Sequence, residues 1–349
     1  MEKKIRRHIN PIFVLTVWFR TSVVFEITIL IMKFHTDFTH KNHFKFGYDN
    51  QWYVNRTKPN QTWMCDYGVA ENPGYTVKQA NADAAVKIWE EAERLGVKIY
   101  LLLSGGLDSE VAARAFLDAD VPFTAVVVKY KTNSQERPWN FHESRFADRF
   151  CKEYSVNKLD LILDPVKFFA SNEVREIADI AQTRSGQLAC SMWAARQLGN
   201  GYIVLGQGEP YLYRQFGKWW FREKELIVSW HKFWMFTGIK GTAGFHQYTP
   251  DQMLAYLSDP LIQNLVLSNE TATIEPLNNA SIKQQLYQTH YPEADFLTRK
   301  KYTGFERMVQ LDSTIRQVLS EKHSSHYAEH CVEYNEMLNK LRGTTLNNS

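Results

Sequence analysis

Two hydrophobic periods alternate along the middle of the chain. Ala85, Ile88, Trp89, Ala92 and Leu95 recur at helical spacing, and Gly96 is placed to end that helix. Val97 to Leu103 is a continuous apolar run, the pattern of a strand covered on both faces. Helical spacing returns from Ser109 to Leu117 through Val111, Ala112, Ala115 and Phe116. Phe123 to Val128 reads as a strand, and Asn140 to Tyr154 as a helix with Phe146, Phe150 and Tyr154 on one stripe. Leu159 to Leu163 predicts a third strand. Helices follow from Ser171, with Val174, Ile177 and Ala178 facing one way, and from Cys190 to Leu198. Residues 201–209, GYIVLGQGE, give a fourth strand with its exit loop. Strands separated by helices require crossover connections. The expected class is therefore α/β, a mainly parallel sheet with helices on both faces.

The flanks follow other patterns. Alternating aromatics in residues 32–56 predict short strands, a small β-rich element over 32–77. Residues 78–209 form the α/β domain. Residues 210–248 are an aromatic and basic insertion or lid, with six basic against two acidic residues through Lys240. The runs on either side of REKE (222–225) suggest a hairpin. Residues 249–349 are expected to be helical, opening with Thr249 as N-cap and Pro250 in the first position.

Residues 1–31 begin basic and turn apolar from Pro11 to Met32. The length suits a membrane span, but Arg20 and Glu26 would each cost about 2.5–3.5 kcal/mol near a bilayer centre. Three readings stay open: an anchor, a buried or partner-binding segment, or translation that starts at Met32.

Composition narrows the function only a little. Charged residues are 23% and the net charge is +3, too small to argue by itself for nucleic acid or an anionic membrane. Cys65, Cys151, Cys190 and Cys331 form no CxxC pair, which speaks against a structural zinc site. Four scattered thiols in a chain this long fit a reducing cytoplasm, and Cys151 and Cys190 read as buried structural residues.

The chemistry concentrates where the second strand run ends. Ser104-Gly105-Gly106-Leu107-Asp108-Ser109 joins that strand to a helix. Two glycines let backbone approach a ligand closely, and the loop N–H groups with the helix N-terminus form a cup of positive partial charge. Ser104 and Ser109 add hydroxyls. This is a phosphate site in character. Asp108 is out of place in it unless it caps the helix or binds a metal travelling with the phosphates. Ligands of parallel sheets sit beyond the carboxyl ends of strands, where SGGLDS and GQGE both fall. No Walker lysine and no complete GxGxxG is present.

The six residues resemble the SGGxDS motif of the N-type ATP pyrophosphatase (PP-loop) superfamily, which includes the synthetase domain of asparagine synthetases, NAD and GMP synthetases, and tRNA-modifying enzymes. The resemblance covers roughly residues 80–210 and part of 290–310. It implies an adenine nucleotide alpha-hydrolase-like fold and an ATP-dependent, AMP-forming ligase with ATP and Mg2+ as cofactors. It places the pyrophosphate portion of ATP on Ser104, Gly105, Gly106, Leu107, Asp108 and Ser109. The adenine would lie near Val127, Val128 and Lys129, with Gly206 on the facing loop. Residues 204–214, VLGQGEPYLYR, resemble the GxGxDE loop of asparagine synthetases with Gly208 in place of the aspartate. By that likeness Glu209 and Asp108 are the metal ligands. Residues 297–306, LTRKKYTGFE, resemble the late K-x-G-F segment, where a lysine contacts phosphates. Lys300 or Lys301 would fill that role, one residue out of register. Arg184, in the loop before a helix, is a further phosphate or substrate candidate beside a plain helix-capping role.

Departures leave the acceptor open. No cysteine stands near position 1 or Met32, so a built-in glutaminase is not expected, and a separate ammonia-supplying subunit is a possible partner. An amide-forming ligase acting on a small molecule is the first reading. A tRNA or nucleobase modifier, with RNA gripped by the 210–248 aromatics, and an ATP-binding protein without catalysis are the alternatives.

Overall fold

The computed structural model describes residues 44–52, 58, 60–268, 280–299, 305, 308, 311, 313 and 329–344. The apolar segment 1–31 lies outside them. Among the described residues, no helix is long and apolar enough to cross a membrane.

The chain opens with a small antiparallel sheet, β1 (Lys45–Tyr48), β2 (Gln51–Trp52) and β3 (Trp63–Asp66), in the order β2-β1-β3. Then strand and helix alternate: α1 (Val77–Leu95), β4 (Lys98–Leu102), α2 (Leu107–Asp118), β5 (Thr124–Tyr130), α3 (Phe141–Glu153) and β6 (Lys158–Leu163). Next come α4 (Pro165–Ala170), α5 (Asn172–Ala181), α6 (Gly186–Leu198) and β7 (Gly201–Leu205). The hairpin β8 (Tyr211–Gln215) and β9 (Lys218–Lys224) precedes α7 (Val228–Thr237) and β10 (Lys240–Gly241). Helices α8 (Pro250–Leu257), α9 (Pro260–Ser268) and α10 (Ala280–His290) follow, then β11 (Glu329–Glu333) and a final helix, Tyr334–Leu341.

Helix ends follow their local chemistry. Thr76 and Gln79 form a reciprocal capping box on α1, and Gly96 ends it in the left-handed region at φ 65°. Thr249 and Gln252 form the same box on α8, with Pro250 in the first turn. Helix α6 starts four residues before Cys190 because Ser185 caps it, accepting from the Leu188 N–H.

The central sheet has the order β10-β7-β4-β5-β6, and every pairing in it is parallel. Period-2 alternation divides its side chains between two cores. Ile99, Leu101, Leu103, Val127 and Val204 pack with Ala84, Ile88 and Phe116 of α1 and α2. Ile203 and Leu205 pack on the other face with Ile177 and Ala178 of α5, Met192 of α6 and Trp230 of α7. This is the α/β architecture the periodicity predicts.

Residues 210–248 contribute to the core and to the central sheet. Trp230, Phe233 and Trp234 are fully buried, and β10 is an edge strand of the central sheet. Aromatic density here reflects core packing. The hairpin turn also lies elsewhere than REKE, which ends β9. The turn is Phe216-Gly217, both in the left-handed region at φ 54° and 74°, the two-residue geometry that matches strand twist. The expected helical C-terminal region contains a strand, β11, which completes the order β11-β9-β8 by antiparallel pairing.

Phe216 is 90% exposed, so replacing it removes almost no packing. Asparagine tolerates positive φ far better than phenylalanine does. Phe216→Asn should therefore stabilise the fold by roughly 0.5–1 kcal/mol. Denaturant midpoints at an unchanged slope would show it, and Phe216→Val should move the midpoint the other way.

Candidate functional site

In the sheet order, the crossovers from β4 run one way, through β5 to β6, and β7 and β10 lie on the other side. The strand order reverses between β4 and β7. Their exit loops diverge there and open a crevice beyond their carboxyl ends. The loop after β4 is residues 103–106, leading into α2, and the loop after β7 is residues 206–210. Gly206 lies against the first turn of α2, where a Cβ would stand 2.4 Å from the Ser109 Cα. Gly105 has φ +90°, and a Cβ on it would meet the Glu143 carbonyl oxygen at 2.1 Å. Neither position admits a side chain without moving backbone.

Helix α2 carries no side-chain cap at Gly106, so its first N–H groups remain available to a ligand. Ser104 Oγ accepts from the Gly106 N–H at 3.1 Å and lies 3.0 Å from Ser109 Oγ. Ser109 Oγ donates to the Gly106 carbonyl at 3.0 Å. Two hydroxyls are thereby fixed beside the uncapped helix end.

The loop opens into a cavity of about 310 Å3, at the lower end of the range for small-molecule sites. Ser104 to Ser109, with Gly206, form one wall. Val126, Val128 and Tyr130 of β5 line the cavity too, as do Phe146, Lys283, Gln284, Arg299 and Phe305. Sequence neighbours Val128 and Lys129 part company here. The strand's alternation turns Lys129 to the other face, where it pairs with Asp148 at 3.2 Å and Asp160 at 2.9 Å. Lys129 is therefore removed from the cavity wall that the sequence reading assigned to it, and Val127 points into the core on that same far side.

Asp108 sits at the centre of a charged cluster. Lys283 donates to its Oδ2 at 3.0 Å and also to Glu209 Oε1. The Tyr287 hydroxyl donates to Asp108 Oδ1 at 2.6 Å. Burial alone would raise the Asp108 carboxyl; the Lys283 charge and the hydrogen bonds from Tyr287 and Lys283 outweigh it and hold the pKa below the usual value. The charges of Asp108 and Glu209 outweigh burial at Lys283 and push its pKa up, so the Asp108–Lys283 pair is charged across the working pH range.

The backbone of Asp108 is held as well. His246, fully buried, has its Nε2 3.0 Å from the Asp108 carbonyl oxygen, and its Nδ1 is 2.8 Å from the Tyr256 hydroxyl. Only a donor can face a carbonyl, which assigns the proton to Nε2 and makes Nδ1 the acceptor. Burial lowers the His246 pKa, in keeping with this neutral ring. The Tyr256 hydroxyl accepts from Asn81 at 3.3 Å, and Asn81 accepts from Gln252 at 2.9 Å.

A second charged group reaches the cavity through Arg299. Glu110, in the first turn of α2, is 1% exposed and lies between two arginines. Arg114 contacts its Oε1 through Nη2 at 2.7 Å, and Arg299 Nη2 lies 2.6 Å from its Oε2. Arg299 also grips Asp295 through Nε at 2.9 Å and Nη2 at 2.7 Å, and stacks over Phe146 at 4.6 Å. Its Nη1 is buried and has no hydrogen-bond partner among the described residues. An orphaned guanidinium donor in a cavity wall is costly unless a ligand satisfies it. Arginine favours planar, bidentate anions such as phosphate.

The sequence-derived candidates distribute unevenly. Ser104, Gly105, Gly106, Leu107, Asp108, Ser109, Val128 and Gly206 line the cavity. Glu209 joins through Lys283. Arg184 lies in the loop before α6 and is not among the cavity-lining residues. Lys300 and Lys301 lie outside the described residues. Lys283, Tyr287, His246 and Arg299 were missed. Arg299 stands next to the lysine pair in the sequence, a usable signal; Lys283 belongs to an unremarkable polar helix and gives none.

The expected metal ligands were tested against this geometry. Asp108 and Glu209 do come together, but around the ammonium of Lys283. Among the described residues, no group of three or more His, Cys, Asp or Glu is placed to hold a metal. Unit charges about 4 Å apart repel by about 4 kcal/mol at a typical protein dielectric, and a dication doubles that. The donor set does not fit a resident magnesium while Lys283 holds this position.

Solved structures supply the likeness that comparison with known proteins adds. No family model matches the chain, and no curated protein matches it. Among solved structures, the NH3-dependent NAD synthetase from Campylobacter jejuni subsp. jejuni NCTC 11168, in complex with the nitrate ion, aligns at 14% identity. The alignment covers 71% of this chain and 95% of that one, with a TM-score of 0.30. The site described above stands on this chain's own geometry.

One titratable group near the exit loop sets a pH dependence. Glu223 accepts from the Tyr67 hydroxyl at 2.5 Å, and that hydroxyl oxygen also lies 3.1 Å from the side-chain amide of Gln247, which packs against Gly208. Burial pushes the Glu223 carboxyl up to about 7, against the Tyr67 and Lys224 hydrogen bonds and with help from the charge on Glu209. A raised folded-state pKa favours folding fully below the unfolded value of 4.5 and loses that contribution as pH rises through about 7. Glu223→Gln should therefore be more stable than the parent at pH 8, on the order of 1–3 kcal/mol, with the difference vanishing below about pH 4.5. Chemical denaturation across that range measures it.

Proposed function

We propose that this chain is an ATP-dependent ligase that releases AMP and pyrophosphate, activating a carboxylate or carbonyl oxygen for attack by a nitrogen nucleophile. The observation that carries the reading is the SGGLDS loop at the β4/β7 reversal. Its uncapped helix end and fixed hydroxyls face, across one cavity, a buried arginine with an unmet donor.

In this reading the β- and γ-phosphates rest on the backbone of residues 104–109, and Arg299 Nη1 donates to a phosphate oxygen. Val126, Val128, Tyr130 and Phe146 receive the base and ribose. The α-phosphorus then lies toward the acceptor side, near Lys283 and Gln207. The acceptor oxygen attacks it, the bond to the bridging oxygen breaks, and pyrophosphate leaves. The nitrogen nucleophile next attacks the activated carbon and expels AMP. The protein supplies position and compensating charge, and no side chain bonds covalently to substrate. An amide-forming reaction of asparagine synthetase type fits best, since the resemblance in residues 204–214 is to that group. Any magnesium here travels on ATP as part of the substrate.

Incubation of ATP with aspartate as first acceptor and ammonia as nitrogen nucleophile, with all products resolved by anion-exchange chromatography, should give AMP and pyrophosphate in equal amounts. ADP and phosphate as main products would overturn the reading, because they report transfer of the γ-phosphoryl group. Calorimetry needs no acceptor. Arg299→Met should weaken ATP binding about tenfold to a hundredfold, the loss of a charge-assisted hydrogen bond in a buried wall. Lys129→Ala should leave the affinity unchanged.

A further inference from the structure

We propose that Lys283 is the built-in cation of this site: its ammonium takes the place between Asp108 and Glu209 where the family likeness puts magnesium, and so closes that place to divalent ions. The second half of this statement is independent of the ligase reading; only the meaning of the site for catalysis rests on it.

Four observations support the inference. The same ammonium reaches both expected metal ligands, Asp108 Oδ2 at 3.0 Å and Glu209 Oε1. Lys283 is itself 7% exposed, so its charge is a fixed part of the wall and not a mobile surface group. The other oxygen of Asp108 is taken by the Tyr287 hydroxyl at 2.6 Å, one helical turn along the same face of α10. Between them, Gln284 ties α10 to the carbonyl oxygens of Phe296 and Arg299 at 2.7 and 2.5 Å. A divalent ion would have to displace an ammonium anchored by a helix that is itself pinned to the chain that carries Arg299.

The arrangement also accounts for a carboxylate in an anion-binding loop. Asp108 unpaired would repel phosphates at the N-terminus of α2. Paired with Lys283 and Tyr287, it orients a cation toward the cavity instead. An ammonium has three donors, and the two carboxylates use two of them. The third is left for a ligand oxygen. A point-charge lysine suits this duty because it needs no set of oxygen ligands around it.

The test uses the full chain and Mn2+ alone, with no nucleotide, followed by the loss of the free-ion electron paramagnetic resonance signal. The parent protein should bind no Mn2+ in a manner sensitive to Asp108. Lys283→Ala should gain one Mn2+ site, tighter by about tenfold or more as the like-charge repulsion is removed. Adding Asp108→Asn to that variant should abolish the gained site. Lys283→Arg, which keeps the charge, should stay closed to Mn2+, and thermal melting confirms that each variant is folded. Mn2+ binding by the parent that Asp108→Asn removes would overturn the proposal. So would a folded Lys283→Ala protein that gains no site. If Lys283→Ala does not fold, the parent and Asp108→Asn titrations still decide. ATP binding and product analysis are separate measurements, so the failure of the ligase reading cannot be mistaken for failure of this one.

Discussion

A carboxylate almost sealed from solvent, Glu110, holds the working end of this molecule together. It sits in the first turn of α2, directly after the glycine loop, and joins that helix to two distant parts of the chain. Arg114 extends the contact to the Tyr154 hydroxyl at the end of α3 and to Glu293, and Arg299 extends it to Asp295 and Phe146. Removing one partner of such a buried group typically costs about 3–5 kcal/mol, because the remaining charge is left uncompensated. The chain that carries Arg299 therefore stays beside the loop through these ion pairs together with the neighbouring Phe296, which is fully buried in the core.

The second charged cluster works on the same principle with a different outcome. Around Asp108, nearly every polar atom is assigned: two carboxylates, an ammonium, a tyrosine hydroxyl and a neutral histidine with its proton on Nε2. The support reaches back through Tyr256, Asn81 and Gln252 to the N-terminal box of α8. A buried network of this kind is rigid when fully satisfied. Against that background, the unmet guanidinium donor of Arg299 stands out as an address for an anionic ligand. Two networks, one complete and one deliberately short of a partner, flank the same helix end and give the cavity its polarity.

The sheet explains why the site lies where it does. At the β4/β7 reversal the two exit loops separate, and Gly206 lets the second loop come down onto the first turn of α2. On β5, alternation then sorts neighbours: Val126, Val128 and Tyr130 face the cavity, and Lys129 joins Asp148, Asp160 and Lys158 in a surface ion cluster. Position along a strand decides whether a residue belongs to the site, ahead of its chemistry.

Local pattern was enough for the α/β class, the order of strands and helices from α1 to β7 apart from the short α4, and the loop of residues 104–109. Those features arise from interactions a few residues apart: apolar runs that form buried strands, caps such as Thr76 and Gly96, and glycines that permit a tight turn. It was not enough for residues 210–248, where aromatic density looks the same whether the rings cover a ligand or fill a core. Nor could it show β11, whose pairing with β9 joins residues about a hundred positions apart. The charged partners were the least legible. Lys283 and Asp108 are 175 residues apart, and nothing near either one announces the other. Sequence by itself determined the loop and the scaffold, because backbone conformation and burial are set locally. Only the tertiary structure decided which cation faces Asp108, because charge compensation depends on distances that folding alone creates.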